Sequence, residues 1–346
     1  MMIILGIEST AHTFGIGIIA GEGLKQKILC NVKDCFVSKK GGMIPGKVAD
    51  HHVEVCDKVL SDALNKAGVS LQDIDLISFS QSPGLGHCLR VGAMFARTLA
   101  VKYNKPLIGV NHCIAHLEIG RLLTKAKDPI LLYVSGANTQ VIAYEAGRYR
   151  IFGETLDIGI GNLLDSFARI LDLGFPGGPK IEELALNTQN KNKGRKKNKT
   201  EFITLPYSVK GMDINFGGTL TLLKTMVKSD KFGEEYTQED LCYSLQETIF
   251  AMMIEISERA LAHTGKKELL LGGGVACNKR LQEMAKTMCK ERGAECFILE
   301  NQFNVDNGVM IAWLGYQQYT AGERMDLKDA IIKPYLRTDE IEILFR

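Results

Sequence analysis

A strand–polar turn–strand unit occurs twice in this chain, once at the start and once near the middle. Ile3 to Ile7 reads as a strand, Glu8-Ser-Thr-Ala-His-Thr13 as a turn, and Gly15 to Ile19 as the return strand. Leu131 to Val134 repeats the first strand, Ser135 to Asn138 the turn, and Val141, Ile142 and Tyr144 the return. Such turns aim backbone N–H groups and small hydroxyls at an anion. Two anion-binding hairpins in one chain predict a duplicated α/β fold with a ligand between its halves. The alternative is a pair of unrelated β-hairpins.

A second feature runs straight into the second hairpin. Leu107, Ile108 and Val110 form a short apolar run, and Asn111 is a suitable N-cap for a helix. Cys113, Leu117, Ile119 and Leu122 then recur at helical spacing. On that helix His112 and His116 share one face, because residues four apart are neighbours. Two imidazoles so placed can grip one metal ion. The chain has only 7 histidines, and the alternative is two ordinary ones. His51, His52 and His87 read as surface or packing residues.

At 346 residues the chain suits two domains. Hydrophobic residues make up 45%, enough for sizeable cores. No apolar run reaches membrane-spanning length and no N-terminal signal pattern is present, so no membrane partner is expected. Nine cysteines, an odd number without a C-x-x-C pair, point to a reducing, cytoplasmic setting. A net charge of +2 does not announce a nucleic acid, so such a partner needs a local patch.

Further along, Pro45 and Gly46 open a helix that Gly68 ends. Leu76 to Phe79 is a strand, and Ser82 to His87 a Gly/Pro loop before a helix over Leu89 to Tyr103. Strand-to-helix loops of this kind hold ligands in α/β folds. Gly159 to Asn162 leads into a helix carrying Asp165. Gly178 and Pro179 suit Ncap and N1 of another, with Glu182 in its first turn. Glu182 could complement the helix dipole or accept from a ribose. Asn190 to Thr200 holds six Lys or Arg and no acid; it is either a solvated loop or a phosphate-backbone contact. Thr237 and Asp240 form a capping box. Leu269 to Leu271 is a buried strand, and Gly272 to Asn278 a glycine turn that a flat base or phosphate can approach closely. Asp306 is a free acid before the last helix, able to cap it or to bind metal.

Taken in order, these pieces resemble one family over nearly the whole chain. The stretches ESTAHTFGIGI, DHHVEV, PGLGHCLRVGA, GVNHCIAHLEIG, LYVSGANTQVIAY, FGETLDIGIGN, FPGGPKIEELA, LPYSVKGMD, DLCYSLQETIFAM, GGGVACNKRL and DNGVMIAW carry it. The chain resembles the TsaD/OSGEP family of tRNA N6-adenosine threonylcarbamoyltransferases, with Tyr133 and Asn138 similar to its archaeal and eukaryotic branch. The resemblance implies an actin/sugar-kinase/DnaK-like (ASKHA) fold: two ribonuclease-H-like domains with nucleotide and metal in the cleft. The first would cover 1–128 and recruit the C-terminal helix, about 307–346; the second would cover 129–306.

The same resemblance implies an iron or zinc ion held by His112, His116, Tyr133 and Asp306, a donor set that suits those metals better than calcium. It implies contacts to an adenine nucleotide from Tyr133, Val134, Ser135, Gly136, Ala137, Asp165, Gly178, Glu182 and Asn278. The implied substrate is threonylcarbamoyl-AMP and the acceptor a tRNA adenosine beside the anticodon. The implied partners are a small atypical protein kinase and other KEOPS subunits as separate chains. Two departures stand out. Ala137 replaces a usual Gly, which a positive φ there would strain. Asn215-Phe-Gly-Gly218 replaces a serine-rich stretch. The rival readings are a nucleotide-dependent small-molecule kinase of the same superfold and a metalloprotease. The latter wants His-Glu-x-x-His, but Cys113 follows His112 here. No residue suggests itself as a general base.

Overall fold

The computed structural model describes residues 1–38, 43–194 and 202–346. Its first sheet is built from β1 (Met2–Glu8), β2 (Thr13–Glu22), β3 (Lys25–Cys35), β4 (Leu76–Ser82) and β5 (Leu107–Asn111) in the order β3-β2-β1-β4-β5. The second uses β6 (Ile130–Val134), β7 (Thr139–Glu145) and β8 (Arg148–Glu154). A two-stranded ribbon of β9 (Val209–Lys210) and β10 (Asp213–Ile214) intervenes before β11 (Glu268–Gly272) and β12 (Glu295–Ile298). The second sheet runs β12-β11-β6-β7-β8.

The two sheets share one topology. In each, the first strand pairs antiparallel with the second and parallel with the fourth, and the second pairs antiparallel with the third. A final parallel pairing completes each sheet. The hairpins expected at 3–19 and 131–144 therefore hold equivalent central places in two copies of one plan.

Ten helices cover these sheets among the described residues: α1 (Pro45–Ala67), α2 (Gly86–Tyr103), α3 (His112–Leu123), α4 (Ile160–Ile170), α5 (Gly178–Gly194), α6 (Gly217–Val227), α7 (Gln238–Thr264), α8 (Lys279–Glu291), α9 (Asn301–Asn304) and α10 (Gly308–Thr320). Their caps follow the local sequence. Gly68 ends α1 in the left-handed region at φ 68°, and Thr237 with Asp240 closes both arms of a capping box on α7. α5 begins at Gly178, one residue earlier than an Ncap there would require, and it continues past the expected end at Leu186. The basic run 190–200 is thus helical at its start, and 195–200 lies outside the described residues.

Strand alternation sorts the core into layers. On β1, Leu5 and Ile7 pack with Val59, Ala63 and Ala96 of α1 and α2. Ile4 faces the other way, into a central cluster shared by α3, α10 and both sheets, with Leu131, Tyr133 and Leu270 from the second. Leu132, Val134, Leu269 and Leu271 pack on the far side against α4, α5, α7 and α8. Fully burying one such Leu or Ile contributes roughly 1.5–3 kcal/mol.

α10 lies almost on the backbone of β1 and β2. A Cβ at Gly6 would fall 2.2 Å from Gly308 O, and one at Gly17 would fall 2.1 Å from Val309 N. Only glycine permits that approach. It brings the chain just before α10 over the end of β1. Beyond α10 the chain crosses both halves. Ile331 O accepts from Gln81 Nε2 at 2.7 Å, Arg337 pairs with Glu154 at 2.8 Å, and Arg346 pairs with Asp128 at 2.6 Å. No described helix is long and apolar enough to cross a membrane, and all nine cysteines are free thiols.

Candidate active site

Asn111 Oδ1 accepts from Ile114 N at 3.1 Å, so α3 starts at His112. One turn later His116 lies over it, with ring centroids 4.7 Å apart. Tyr133, on the face of β6 turned toward α3, brings its hydroxyl to 2.9 Å from His112 Nε2. Asn307 takes the cap of α10 by accepting from Met310 N at 3.0 Å. Asp306 is thereby released from capping, and its Oδ1 lies 3.4 Å from His112 Nε2 and 3.5 Å from His116 Nε2. The ligand atoms of His112, His116 and Asp306 all fall within 4.8 Å of one another.

These groups fit a metal ion on an observation of their own. Both ring nitrogens of His116 are buried without a hydrogen-bond partner among the described residues; the Asp306 oxygen is within charge range but not aligned. A buried polar atom left so costs stability unless something satisfies it. Burial lowers the pKa of His116. For His112 burial works the same way, but the charges of Glu8, Tyr133 and Asp306 outweigh it and raise the pKa well above the ordinary value. Burial disfavours the Asp306 anion, yet His112 and His116 hold its carboxyl well below the usual range. Burial raises the Tyr133 phenol. A cation at this point would supply the positive charge that these groups otherwise take from protons.

The sequence reading missed one participant. Glu8, fully buried, places Oε2 2.8 Å from His112 Nδ1. Its Oε1 accepts from Thr10 N at 2.6 Å and from Thr10 Oγ1 at 2.5 Å. A carboxylate on the outer nitrogen of a ligating histidine fixes ring and tautomer. The first hairpin turn therefore also carries a carboxylate into the site. The N–H groups of Ser9 and Thr10 are taken up by Ser80 and Glu8. That turn delivers a carboxylate to the imidazole, while Ala11 and His12 keep N–H groups without an acceptor among the described residues.

The second turn is closed by its own hydrogen bonds. Ser135 N donates to Asn138 O at 2.8 Å, and Asn138 N to Ser135 Oγ at 3.1 Å. Gly136 and Ala137, both exposed, keep N–H groups without an acceptor among the described residues. Left-handed backbone among described non-glycine residues is confined to Asn104, Ala146 and Asp172, so Ala137 is unstrained. Val134 lies beneath, its carbonyl 2.3 Å from where a Cβ on Gly273 would stand. The glycine turn thus packs directly on the end of β6.

The remaining side chains that the resemblance implies for nucleotide contact are each engaged by a neighbour. Asp165 accepts from Gly177 N at 2.7 Å, beside Gly178, and burial raises its carboxyl pKa. Glu182 accepts from Lys279 N at 2.9 Å, so it complements the N-terminus of α8 rather than its own helix. Asn278 caps α8 and donates to Gln246 Oε1 at 2.9 Å. At α6, the N–H groups of Phe216 and Gly217 are bound by Asp157, at 3.0 and 2.7 Å. The serine-poor stretch there is capped from within.

Comparisons with known proteins give the family and the fold. The family model described as TsaD, tRNA N6-adenosine threonylcarbamoyltransferase, matches residues 27–313. A tRNA N6-adenosine threonylcarbamoyltransferase of Thermococcus kodakarensis is 53% identical over 344 residues, covering 99% of this chain and 100% of that protein. One from Mus musculus is 48% identical over 349 residues and covers both chains fully. Among solved structures, T. kodakarensis HypF superposes with a TM-score of 0.61 at 16% identity, over 90% of this chain and 47% of that one. This likeness concerns fold alone: two sheets of one plan in the actin/sugar-kinase/DnaK-like arrangement. By the family match and full-length identity, the chain belongs to the TsaD family of tRNA N6-adenosine threonylcarbamoyltransferases and is a transferase enzyme.

Proposed function

We propose that the chain transfers the threonylcarbamoyl group of threonylcarbamoyl-AMP to the N6 amine of the anticodon-adjacent adenosine of tRNA. It would act as the catalytic subunit of a KEOPS-type complex in the cytoplasm, with a small kinase and other subunits as separate chains. The observation that carries the reading is the His112, His116 and Asp306 cluster set against Tyr133, on the strand that leads into the turn carrying Gly136 and Ala137. A kinase of the same superfold would leave that cluster without a task.

In the transfer, the N6 nitrogen bonds to the carbamoyl carbon. The bond from that carbon to the phosphate oxygen breaks, AMP leaves with the electron pair, and the amine gives up a proton. An iron or zinc ion on His112, His116, Tyr133 and Asp306 would orient the donor and act as a Lewis acid. Glu8 holds the His112 ring in place. Gly136 and Ala137 N–H groups face the charge that collects on the departing phosphate. Asp165 and Glu182 would accept from ribose hydroxyls, beside Gly178 and Asn278. The rate would rest on positioning and an activated leaving group, since no side chain is assigned as general base. The two domains would divide as 1–128 with about 307–346, and 129–306.

His112→Ala tests this. Metal content and tRNA modification should both fall to background while adenosine still binds at the 272–278 turn. Metal content by elemental analysis, nucleotide affinity by calorimetry and modification of tRNA are measured on one preparation. Full modification by a folded, metal-free variant would sink the mechanism.

A further inference from the structure

Lys33 is a cation beside the candidate metal cluster that makes no ion pair among the described residues. It lies on β3 opposite Gly15 of β2. Because Gly15 has no side chain, the Lys33 stem shares its surroundings. A Cβ at Gly15 would stand 3.5 Å from Lys33 Cβ, 3.4 Å from Gly308 N and 3.7 Å from Glu8 Cβ. The half-buried ammonium reaches Asp306 O, the backbone carbonyl of the candidate metal ligand, at 3.4 Å. No carboxylate among the described residues forms an ion pair with it. Its neighbour Asp34 is engaged elsewhere, 2.9 Å from His51 Nε2. Lys33 also reaches electrostatically across to Cys277, beside the glycine turn. Burial pushes that thiol up to about 11, and Lys33 pulls against the rise.

The ammonium therefore touches the backbone of the metal cluster and lies within electrostatic reach of the residue beside the glycine turn. A half-buried cation whose hydrogen bond among the described residues is to one carbonyl is an incomplete contact. In an adenylate, the group joining adenosine to whatever lies at the metal is the 5′-phosphate. We propose that Lys33 is a phosphate-binding residue for the adenine nucleotide, a point charge from the first half of the molecule that closes on a nucleotide carried by the second. The assignment rests on the nucleotide reading of the cleft given above.

The test compares AMP with adenosine on the full chain, using wild type, Lys33→Met and Lys33→Arg at matched metal content. Lys33→Met keeps the apolar stem and removes the charge. AMP should then bind about tenfold or more weakly, adenosine should be unchanged, and Lys33→Arg should restore most of the loss. Equal loss for AMP and adenosine would mean that Lys33 serves the fold or the metal ligands, and overturns the assignment. An unchanged AMP-to-adenosine ratio with intact adenosine binding overturns it too, as does a loss seen only for tRNA. Failure of wild type to bind either compound overturns the nucleotide reading itself, and Lys33 with it.

Discussion

Glu8 and His112 belong to different ends of the first sheet in sequence, yet the carboxylate fixes the imidazole at 2.8 Å. Nothing in the local sequence around Glu8 announces this, because the partner is 104 residues away. His112 and His116 are legible as a pair because their i, i+4 spacing is local, whereas Tyr133 reads only as part of a buried strand and enters the set through the family resemblance. Asp306 was legible as a free acid, and the structure adds the reason it stays free: Asn307 caps α10 in its place. Glu8→Gln should keep the fold, since an amide oxygen can still accept from Thr10. It should weaken metal binding by about 10–100-fold, read by chelator competition. An unchanged affinity would reduce Glu8 to a packing role. His52 gives a separate pH signature. Burial, helped by the charge of His51, lowers its pKa from 6.5 to about 4. Below the unfolded value the unfolded chain binds a proton that the folded chain refuses. Stability should therefore fall as pH drops from about 6.5 to about 4, by up to about 3 kcal/mol, and His52 should add nothing further below that. Urea unfolding of wild type and His52→Leu across that range checks it. Parallel curves would show that His52 is not the group responsible.

At the scale of elements, hairpins, caps and the glycine turn were readable because each is fixed by residues adjacent in sequence. Asn111, Gly68 and the Thr237–Asp240 box all act within one turn of where they stand. β3, β8 and α6 were not assigned from sequence. β3 is one-sided and half exposed, and α6 depends on a cap from Asp157, 59 residues before Phe216. The glycine turn shows how tightly elements are set against each other. Gly273 has φ 95° and no room for a Cβ beside Val134 O, whereas Gly274 has open space. Gly273→Ala should cost about 1–3 kcal/mol through strained backbone and lower adenosine affinity as β6 and the turn separate. Gly274→Ala should do neither by comparison. Thermal unfolding and calorimetry on the pair check this, and equal effects would contradict the packing described.

For the whole molecule, the duplicated plan is visible in two short hairpins, whereas the recruitment of a late helix by the first half follows from the family resemblance and from no local signal. The central cluster takes side chains from both sheets, and the first sheet is finished by a helix from the far end of the chain. This has a consequence for the order in which the protein can come into being. As the chain is made from its N-terminus, β1 to β5 are complete long before α10 exists. One face of that sheet, with Ile4, Ile19 and Leu76, must wait uncovered or be shielded by something else while the whole second half is synthesised. A fragment of residues 1–128 should therefore be aggregation-prone alone and become soluble and folded when a separate 307–346 peptide is supplied. A fragment that folds unaided, by circular dichroism and cooperative melting, would show that the late helix is a cover rather than a requirement. If it is required, the newborn chain spends most of its synthesis as an unfinished half, and a holding chaperone has a defined surface to find.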